Sequence, residues 1–348
     1  MMNKVLKDDI STFVCHFNWQ SELSNKSVLI TGGTGLIGSI LVRCLVAANN
    51  KYHLNLTIVC LVRNVEKAVK VLDDVAFNVH FVENSLEKLT IDGYERDIDY
   101  IIHLAAPTSS TFFVTHPVET FHSITRGTSN LLEIARGKNL KSMVYVSSVE
   151  SYGSIYDDSN SIDEEQQGFI NPLSTRSCYS MGKRSAECLC YLYYSEYQLP
   201  VKIARLTQTF GAGISQDDNR VFAQFARSVI NCKDIILNTE GKSSKPYCYT
   251  IDAIDAILTI LLKGKNGEAY NVANTDTYMS IKEMAELVSN DFSPQTNVII
   301  DIKEGMGYAP TTLWKLSCNK LKALGWKPHY NINDMYKRLI EYLVNEKQ

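Results

Sequence analysis

A glycine-rich turn between an apolar strand and an apolar helix constrains this chain more than any other feature. Lys26–Thr31 has the character of a buried strand, Gly32–Gly38 has the pattern Gly-x-x-Gly-x-x-Gly, and apolar residues recur at helical spacing through 40–45. Such glycines let the chain turn tightly and approach a pyrophosphate, whose charge the helix N-terminus stabilises. A glycine-rich turn without a ligand is the alternative, but the flanking strand and helix favour dinucleotide binding. The predicted cofactor contacts in the turn are Gly32, Thr34, Gly35, Leu36, Ile37 and Gly38.

Strand-like and helix-like segments alternate from this motif to about residue 205. The alternation predicts an α/β fold in which a Rossmann-type, doubly wound parallel sheet carries a smaller α/β substrate-binding cap. We expect residues 1–25 to form a helical extension that packs outside the first domain. The expected NAD(P)-binding domain is 26–205 with a return segment at 248–272, and the expected cap is 206–247 and 273–348.

Composition argues against several classes of function. The formal net charge is −3 and the lysines and arginines form no cluster, which argues against a nucleic-acid-binding face. The nine cysteines contain no Cys-x-x-Cys pair and the seven histidines do not cluster, so we expect reduced thiols and no metal site. No apolar run typical of a signal peptide or a membrane span is present. These features predict a cytoplasmic protein that binds neither nucleic acid nor membrane.

Residues that follow predicted strands are candidates for the rest of the cofactor site, because open α/β sheets bind ligands at the carboxyl ends of their strands. Arg63 follows the second strand, where NAD-selective sites usually carry an acidic residue, so it mildly favours NADP. The alternative is an arginine that stacks on adenine without selecting either cofactor. Further predicted contacts are Ser85 and Leu86 beside the adenine, and Leu104, Ala105 and Ala106 beside the nicotinamide ribose.

Tyr179 and Lys183 are the predicted catalytic pair. Helix-forming residues follow Tyr179, and residues four apart share one face of a helix, so the ammonium is expected beside the phenol. A free tyrosine titrates near pH ~10, and a fixed positive charge nearby is expected to lower that pKa. Such a tyrosine can take a proton from a sugar hydroxyl, or return one, while a hydride moves at the same carbon. A surface tyrosine that merely neighbours a surface lysine is the alternative.

Other polar residues are predicted to reach the same edge of the sheet. The fifth predicted strand, 143–147, ends in a polar run that supplies Ser147, Ser148 and Glu150. Pro107–Thr111 is expected to form a polar loop that faces the site, and its candidate substrate contacts are Thr108 and Ser109.

Three motifs occur in the order and spacing of a known family: Gly32–Gly38, Ser147–Gly153 and the pair Tyr179 and Lys183. Together they resemble the extended short-chain dehydrogenase/reductases of the NAD-dependent epimerase/dehydratase family, which modify nucleotide sugars. The resemblance covers about residues 26–345. Residues 171–187 are most similar to the branch that contains nucleotide-sugar 4,6-dehydratases and UDP-glucuronate decarboxylases.

The resemblance implies a first step in which Tyr179 deprotonates the sugar C4 hydroxyl as the C4 hydride passes to the nicotinamide. It also implies that Ser148 hydrogen-bonds the reacting oxygen and that Tyr179 and Lys183 contact the cofactor. Glu150, by its place two residues after Ser148, would remove the C5 proton of the 4-keto sugar, which favours 4,6-dehydration. The alternative for Glu150 is a rim carboxylate bonded to a backbone N–H. The alternatives for the reaction are C4 epimerisation, reduction of a 4-keto sugar and, last, a cofactor-sensing scaffold without catalysis.

The chain departs from this family's pattern at several positions. Val149 stands where dTDP-glucose dehydratases carry an aspartic acid, and Thr311–Lys315 stands where the decarboxylases carry Arg-Lys-Pro, which weakens the case for decarboxylation. Lys245 stands where many members direct an arginine toward the diphosphate, and Arg220 is the other candidate phosphate contact. The resemblance further implies a homodimer formed through a four-helix bundle and a role in sugar supply for polysaccharide biosynthesis.

Overall fold

A computed structural model describes residues 2–89, 97–302 and 311–346. The strands are β1 (Ser27–Thr31), β2 (Thr57–Val62), β3 (His80–Glu83), β4 (Tyr100–His103), β5 (Ser142–Ser148), β6 (Val201–Leu206), β7 (Gln208–Phe210), β8 (Ile235–Leu237), β9 (Ser244–Tyr249), β10 (Ala269–Val272), β11 (Asn274–Ser280) and β12 (Val298–Ile300). The helices are α1 (Lys4–Cys15), α2 (Gln20–Leu23), α3 (Leu36–Tyr52), α4 (Val65–Val71), α5 (Ser110–Thr115), α6 (Pro117–Arg136), α7 (Ser177–Tyr197), α8 (Val221–Ile230), α9 (Thr250–Lys263), α10 (Ile281–Phe292), α11 (Asn319–Ala323) and α12 (Ile332–Asn345).

Seven of the strands form one parallel sheet. Their order is β10-β6-β5-β4-β1-β2-β3, and every neighbouring pair is parallel. The order of the strands reverses between β1 and β4, where Thr31 pairs with His103 at the carboxyl ends. A crevice at such a reversal is where open α/β sheets bind ligands. The predicted Rossmann-type, doubly wound sheet is therefore confirmed.

Helices cover both faces of this sheet because its strands are apolar on both sides. Val28 and Ile30 of β1 belong to one hydrophobic cluster with residues of α3 and α9, whereas Leu29 belongs to another with residues of α6 and α7. Helices α6 and α7 pack closely, since a Cβ added to Gly182 would lie 3.3 Å from Ile124 Cδ1. The helix that carries Tyr179 is thus held between the sheet and α6.

The N-terminal segment forms the expected helix and packs against α3, α9 and α12. Its apolar side includes Ile10 and Phe13, which are buried in the main hydrophobic cluster. Asp9 on the same side accepts hydrogen bonds from Tyr249 Oη at 2.6 Å and from Arg338 Nε at 2.7 Å. These contacts join α1 to β9 and to α12. The N-terminal extension is therefore an integral part of the packed structure.

One strand has no clear signal in the sequence, and one local expectation is wrong in part. The segment after β6 contains β7, which pairs with β9 and buries Phe210 completely against Phe222. The polar loop expected at 107–111 turns into α5 after Ser109, whose side chain accepts from Phe112 N at 3.4 Å and so caps the helix. At β7 the tertiary contact of Phe210 outweighs the glycines that follow it, whereas at α5 the hydroxyl of Ser109 itself starts the helix.

The remaining strands form a three-stranded sheet, β11-β9-β7, and a parallel pair, β12-β8. Residues 311–318 cross the irregular segment 154–170: Trp314 Nε1 donates to Gly153 O at 2.9 Å and Ile162 N donates to Lys315 O at 2.6 Å. All nine cysteines are free thiols. Within the described part of the chain, no helix has both the length and the apolarity needed to cross a bilayer.

Candidate active site

The glycine turn has the geometry that a pyrophosphate site needs. Gly32 has φ 73°, Gly35 N donates to Gly32 O at 3.0 Å, and Gly35 is the N-cap of α3. A Cβ added to Gly38 would lie 2.1 Å from Gly32 O, so only glycine fits where the helix leaves the turn. The first turn of α3 therefore presents backbone N–H groups at the sheet's crevice, a ready site for an anion.

The end of β4 lies directly against this turn. Ala105 N donates to Thr31 Oγ1 at 3.2 Å, and a Cβ added to Gly32 would lie 2.8 Å from Ala105 N. The structure thus brings three sequence-predicted neighbours of the nicotinamide ribose to the turn, namely Leu104, Ala105 and Ala106. Among the predicted turn contacts, Thr34, Leu36 and Ile37 are partly exposed there.

The predicted adenine contacts follow β2 and β3, the two strands on the far side of β1. Arg63 is exposed immediately after β2. Ser85 is half-buried, and Leu86 is buried and accepts a hydrogen bond through its carbonyl from Asn130 Nδ2 at 2.8 Å. These residues share the carboxyl edge of the sheet with the glycine turn.

Tyr179 and Lys183 lie on the buried face of α7, beside β5. Tyr179 is 9% exposed and Lys183 is 3% exposed, which excludes the surface-pair alternative. Lys183 Nζ donates to Val146 O at 2.8 Å and lies 5.9 Å from the centroid of the Tyr179 ring. Ser148, at the end of β5, lies close enough to the Tyr179 phenol to lower its pKa. The three residues therefore meet at the carboxyl edge of the sheet.

The sequence predicts that Lys183 lowers the pKa of the Tyr179 phenol, but in the structure this pKa is raised. Burial raises the pKa of Tyr179 well above its usual range, the Glu150 carboxylate adds to the rise, and the nearby Ser148 hydroxyl lowers it. Burial also lowers the pKa of Lys183 to about 8. Desolvation disfavours the charged form of both groups, so it outweighs their mutual attraction. In this state the pair favours a neutral phenol.

Glu150 lies in the short 3-10 turn Val149–Tyr152 that follows β5. Its backbone N–H donates to Ser148 Oγ at 3.2 Å, and its carboxylate accepts from Ser180 Oγ at 3.4 Å. It is half-buried and close enough to Tyr179 to influence the phenol. Ser147, in contrast, points into the core, where its hydroxyl donates to Glu187 Oε1 at 2.5 Å, so its predicted place in the site is wrong.

Lys245 in β9 lies within electrostatic range of Glu150. Its side chain is half-buried; burial lowers its pKa, the Glu150 carboxylate raises it and the Arg176 guanidinium lowers it. The Lys245 ammonium lies 5.8 Å from the centroid of the Trp314 ring. Lys245 therefore remains a candidate substrate contact.

The other candidate substrate contacts lie elsewhere or are already engaged. Arg220 makes a 2.5 Å ion pair with Asp218 and its guanidinium carbon lies 4.9 Å from the centroid of the Phe222 ring. Thr108 is exposed, and the Ser109 hydroxyl caps α5. None of these three residues makes a direct contact with Tyr179 among the described residues, although Ser109 O accepts from Phe113 N, whose ring stacks on Tyr179.

Sequence reasoning missed three residues that the structure places at the pair. Phe113 stacks on Tyr179, Ser180 bonds Glu150, and Arg176 interacts with Lys245. Arg176 carries a signal in the sequence, because it lies one helical turn before Tyr179. Phe113 carries none, since its neighbour lies 66 residues further along the chain.

A doubly wound sheet with a glycine-rich turn and a buried Tyr-x-x-x-Lys pair defines a short-chain dehydrogenase/reductase of the extended type. The family model for the NAD dependent epimerase/dehydratase family matches residues 28–273. The chain belongs to that family.

Relatives and solved structures agree with this assignment. UDP-glucuronic acid decarboxylase 5 of Arabidopsis thaliana is 28% identical over 89% of this chain and 87% of its own length. UDP-glucuronic acid decarboxylase 1 of Xenopus tropicalis is 29% identical over 94% of this chain and 74% of its own length. The structure of UDP-glucose 4-epimerase from Thermotoga maritima has a TM-score of 0.77 at 21% identity, covering 92% of this chain and 100% of that chain. DesIV, the dTDP-glucose 4,6-dehydratase of Streptomyces venezuelae with NAD bound, has a TM-score of 0.76 at 22% identity, with coverages of 92% and 98%.

Proposed function

We propose that this protein is an NAD-dependent enzyme that oxidises C4 of a nucleotide-diphosphate sugar and acts through the 4-keto intermediate. The observation that carries the proposal is the meeting of Ser148, Tyr179 and Lys183 beside the glycine turn. The names of the relatives and of the solved structures, all of them nucleotide-sugar enzymes, support the substrate class. The tight glycine cradle at Gly38 fits a dinucleotide.

In the first step, Tyr179 takes the proton of the C4 hydroxyl through its phenol oxygen, and Ser148 holds the same sugar oxygen by a hydrogen bond. Bound NAD supplies the acceptor for the C4 hydride. Lys183 is held by Val146 O beside the phenol, where its ammonium stabilises the phenolate that precedes proton transfer. Because burial alone favours the neutral phenol, the positive charge of an oxidised nicotinamide is expected to help ionise Tyr179.

For the second half of the reaction we propose 4,6-dehydration. The 4-keto group acidifies the C5 hydrogen, Glu150 accepts that proton, and the C6 hydroxyl takes up a proton and leaves as water, which forms a C5–C6 double bond. That double bond would take the hydride back at C6 and a proton from solvent at C5. The half-buried position of Glu150, near Tyr179 and bonded to Ser180, supports this role over that of a distant rim carboxylate. The Val149 side chain has no proton to donate to the leaving C6 hydroxyl. Another acid in the site or a solvent water therefore supplies that proton.

Decarboxylation of a UDP-uronic acid is the second candidate. It is favoured by the curated relatives, which are UDP-glucuronic acid decarboxylases that this chain matches over most of its length. From the same 4-keto intermediate the C5 carboxylate leaves as carbon dioxide and the electrons of that bond stay on C5, which then takes up a proton. Lys245 interacts electrostatically with both Glu150 and Arg176, and the two cations suit an anionic substrate.

The experiment that tests these proposals is a panel of nucleotide sugars incubated with the purified protein in D₂O. The panel contains UDP-glucose, UDP-glucuronic acid, dTDP-glucose and GDP-mannose, and products are read by mass spectrometry and NMR. Loss of water with deuterium gained at C5 establishes dehydration, and loss of carbon dioxide establishes decarboxylation. A product of unchanged mass with inverted configuration at C4 establishes an epimerase. Turnover that occurs only when NADPH and a 4-keto sugar are added establishes a reductase. No turnover of any kind contradicts the proposal and favours a cofactor-sensing scaffold.

We further propose that Arg63 contacts the adenosine ribose and mildly favours NADP, because its exposed cationic side chain follows β2. Replacing Arg63 with alanine is expected to weaken NADP binding roughly 10-fold, as expected for the loss of one charge-assisted phosphate contact. NAD binding is expected to change less than about threefold. Calorimetric titration of the native and substituted proteins with NADP and with NAD measures the two affinities. Equal weakening for both cofactors would assign Arg63 to adenine stacking instead.

We propose that two copies pair through α6 and α7 as a four-helix bundle. Exposed apolar residues on these helices, Val118, Tyr191 and Leu192, support the proposal. Replacing Leu192 with glutamate is expected to convert a dimer into a monomer, which light scattering distinguishes by a twofold change in mass. Cys188 is exposed on the same helix, whereas Leu189 and Tyr193 pack partly on the core. A native protein that is already monomeric would refute the pairing.

The division of labour and the cellular role are also proposals. We propose that 26–205 with the return segment 248–272 binds the cofactor, that 206–247 and 273–348 bind the sugar nucleotide, and that the extension 1–25 supports both. The return of β10 to the main sheet beside β6 supports this division. We propose a cytoplasmic enzyme that supplies modified sugars for polysaccharide biosynthesis and requires no metal.

A further inference from the structure

Phe113 lies flat against the ring of Tyr179. The two ring centroids are 4.5 Å apart and the ring planes differ by 15°. Phe113 is 3% exposed, so water cannot reach the covered face of the phenol. No step of the proposed reaction uses Phe113 directly, yet no other aromatic contact of Tyr179 among the described residues is as close.

The short helix α5 is attached to the start of α7 at two adjacent positions. Phe113 N donates to Ser109 O at 3.1 Å within α5. Cys178 Sγ donates to Phe113 O at 3.5 Å, and the next residue, Tyr179, receives the ring of Phe113. Backbone and side chain of one residue therefore fix the place of α5 relative to Tyr179.

Helical spacing alone does not orient the Tyr179 ring. A separation of four residues brings Tyr179 and Lys183 to one face, but the ring still turns about its side-chain bonds. A ring stacked at 4.5 Å restricts rotation of the Tyr179 side chain about its Cα–Cβ bond, the rotation that moves the phenol oxygen. Proton transfer depends strongly on the position of that oxygen, since a misplacement of about 1 Å at a reacting group can cost roughly 100-fold in rate.

We infer that Phe113 is a positioning residue, which holds the Tyr179 side chain in the rotamer that places its hydroxyl near Ser148 and shields that ring from water. The inference rests on the proposed role of Tyr179 as the base. It predicts that a substitution at position 113 changes kcat more than KM. It also predicts that a large, flat side chain there preserves kcat.

A change of pH dependence follows from the surroundings of the phenol. The groups that face Tyr179 are Tyr145 from β5, Ser148 and Glu150 from the turn after it, and Lys183 and Cys178 from α7. Helix α5 contributes only the uncharged ring of Phe113 to these surroundings. Burial is the largest cause of the raised pKa of Tyr179, so removing that ring admits water and lowers the pKa.

The test compares Phe113→Ala and Phe113→Tyr in the NAD-loaded protein, with UDP-glucose or UDP-glucuronic acid, whichever reacts in the panel. Phe113→Ala is expected to lower kcat roughly 10- to 100-fold. KM is expected to change less than about threefold, because the lost contact is to the base and not to the substrate. The limb of the pH–rate profile that reports the base is expected to move down by about one pH unit. Phe113→Tyr keeps a flat ring and is expected to restore kcat to within about threefold of the native value.

Phe112→Ala is the matched control, because Phe112 precedes Phe113 in the same short helix but stacks on His116 instead. Its kcat and pH profile are expected to stay native. A native kcat and pH profile in Phe113→Ala overturn the inference. So does a rise in KM with an unmoved pH limb, which would make Phe113 a substrate contact. If Tyr179→Phe retains native turnover, the proposed function itself fails, and this outcome is distinct from the others.

Discussion

Replacing Tyr179 with phenylalanine is expected to lower kcat by roughly 10³- to 10⁴-fold, at the upper end of what one acid–base group contributes. The substitution removes the phenol oxygen that accepts the C4 proton and keeps the ring that stacks on Phe113. Fold and cofactor binding are therefore expected to persist. Steady-state turnover of the reactive nucleotide sugar measures the loss, and calorimetric titration with NAD verifies that the site still binds.

Tyr197→Phe is the control for this experiment. Tyr197 lies on the same helix, five turns beyond Tyr179, and is 42% exposed. The same change of side chain there is expected to leave kcat native. A Tyr179→Phe protein that keeps more than about a tenth of native kcat would show that another group accepts the proton. The Glu150 carboxylate, close enough to perturb the phenol, would be the first to examine.

The parts of the fold that the sequence predicts well are those with local signals. The glycine turn needs only its own spacing, because Gly32, Gly35 and Gly38 contact one another and the backbone. The helical pairing of Tyr179 with Lys183 likewise follows from a separation of four residues. The alternation of strands and helices then predicts the parallel sheet, and with it the edge at which these groups meet.

The parts that the sequence does not reveal depend on contacts between distant residues. Lys183 is close in sequence to Tyr179, so its charge is easily anticipated, but the burial that reverses the expected direction of the pKa shift is a tertiary property. Phe113 contributes to that burial from another helix. The strand β7 is equally hidden, because a short segment before glycines becomes a strand only when β9 lies beside it.

Ser147 shows the same limit on a smaller scale. Its neighbours in the sequence place it at the end of a strand with Ser148, but strand residues alternate between the two faces of the sheet. Ser147 thus turns toward α7 and bonds Glu187, a residue that also binds Arg205. An ion pair between a helix and a strand leaves no spacing pattern in the sequence. Only the structure shows that this ion pair joins β6 to α7, the helix that carries Tyr179.

Replacing Glu187 with alanine is expected to destabilise the protein by about 3–5 kcal/mol, because it leaves the buried Arg205 guanidinium without its counter-charge. The Glu187 and Arg205 side chains are only 7% and 8% exposed, and Arg205 Nη2 lies 2.8 Å from Glu187 Oε2. Arg205 would keep its bonds to Tyr152 Oη and Glu164 O, at 3.0 and 2.8 Å, but neither partner carries a full negative charge there. Urea unfolding followed by circular dichroism measures the free energy.

A double substitution separates the cost of a lone charge from the value of the pair. In Glu187→Met with Arg205→Met, both charges are gone and apolar side chains fill the space, so the loss is expected to be smaller than for Glu187→Ala by about 2 kcal/mol or more. Glu196→Ala, an exposed glutamate on the same helix, is expected to change stability by less than about 0.5 kcal/mol. If Glu187→Ala behaves like Glu196→Ala, the ion pair does not support α7. The position of Tyr179 would then depend on its packing against α6 and Phe113 alone.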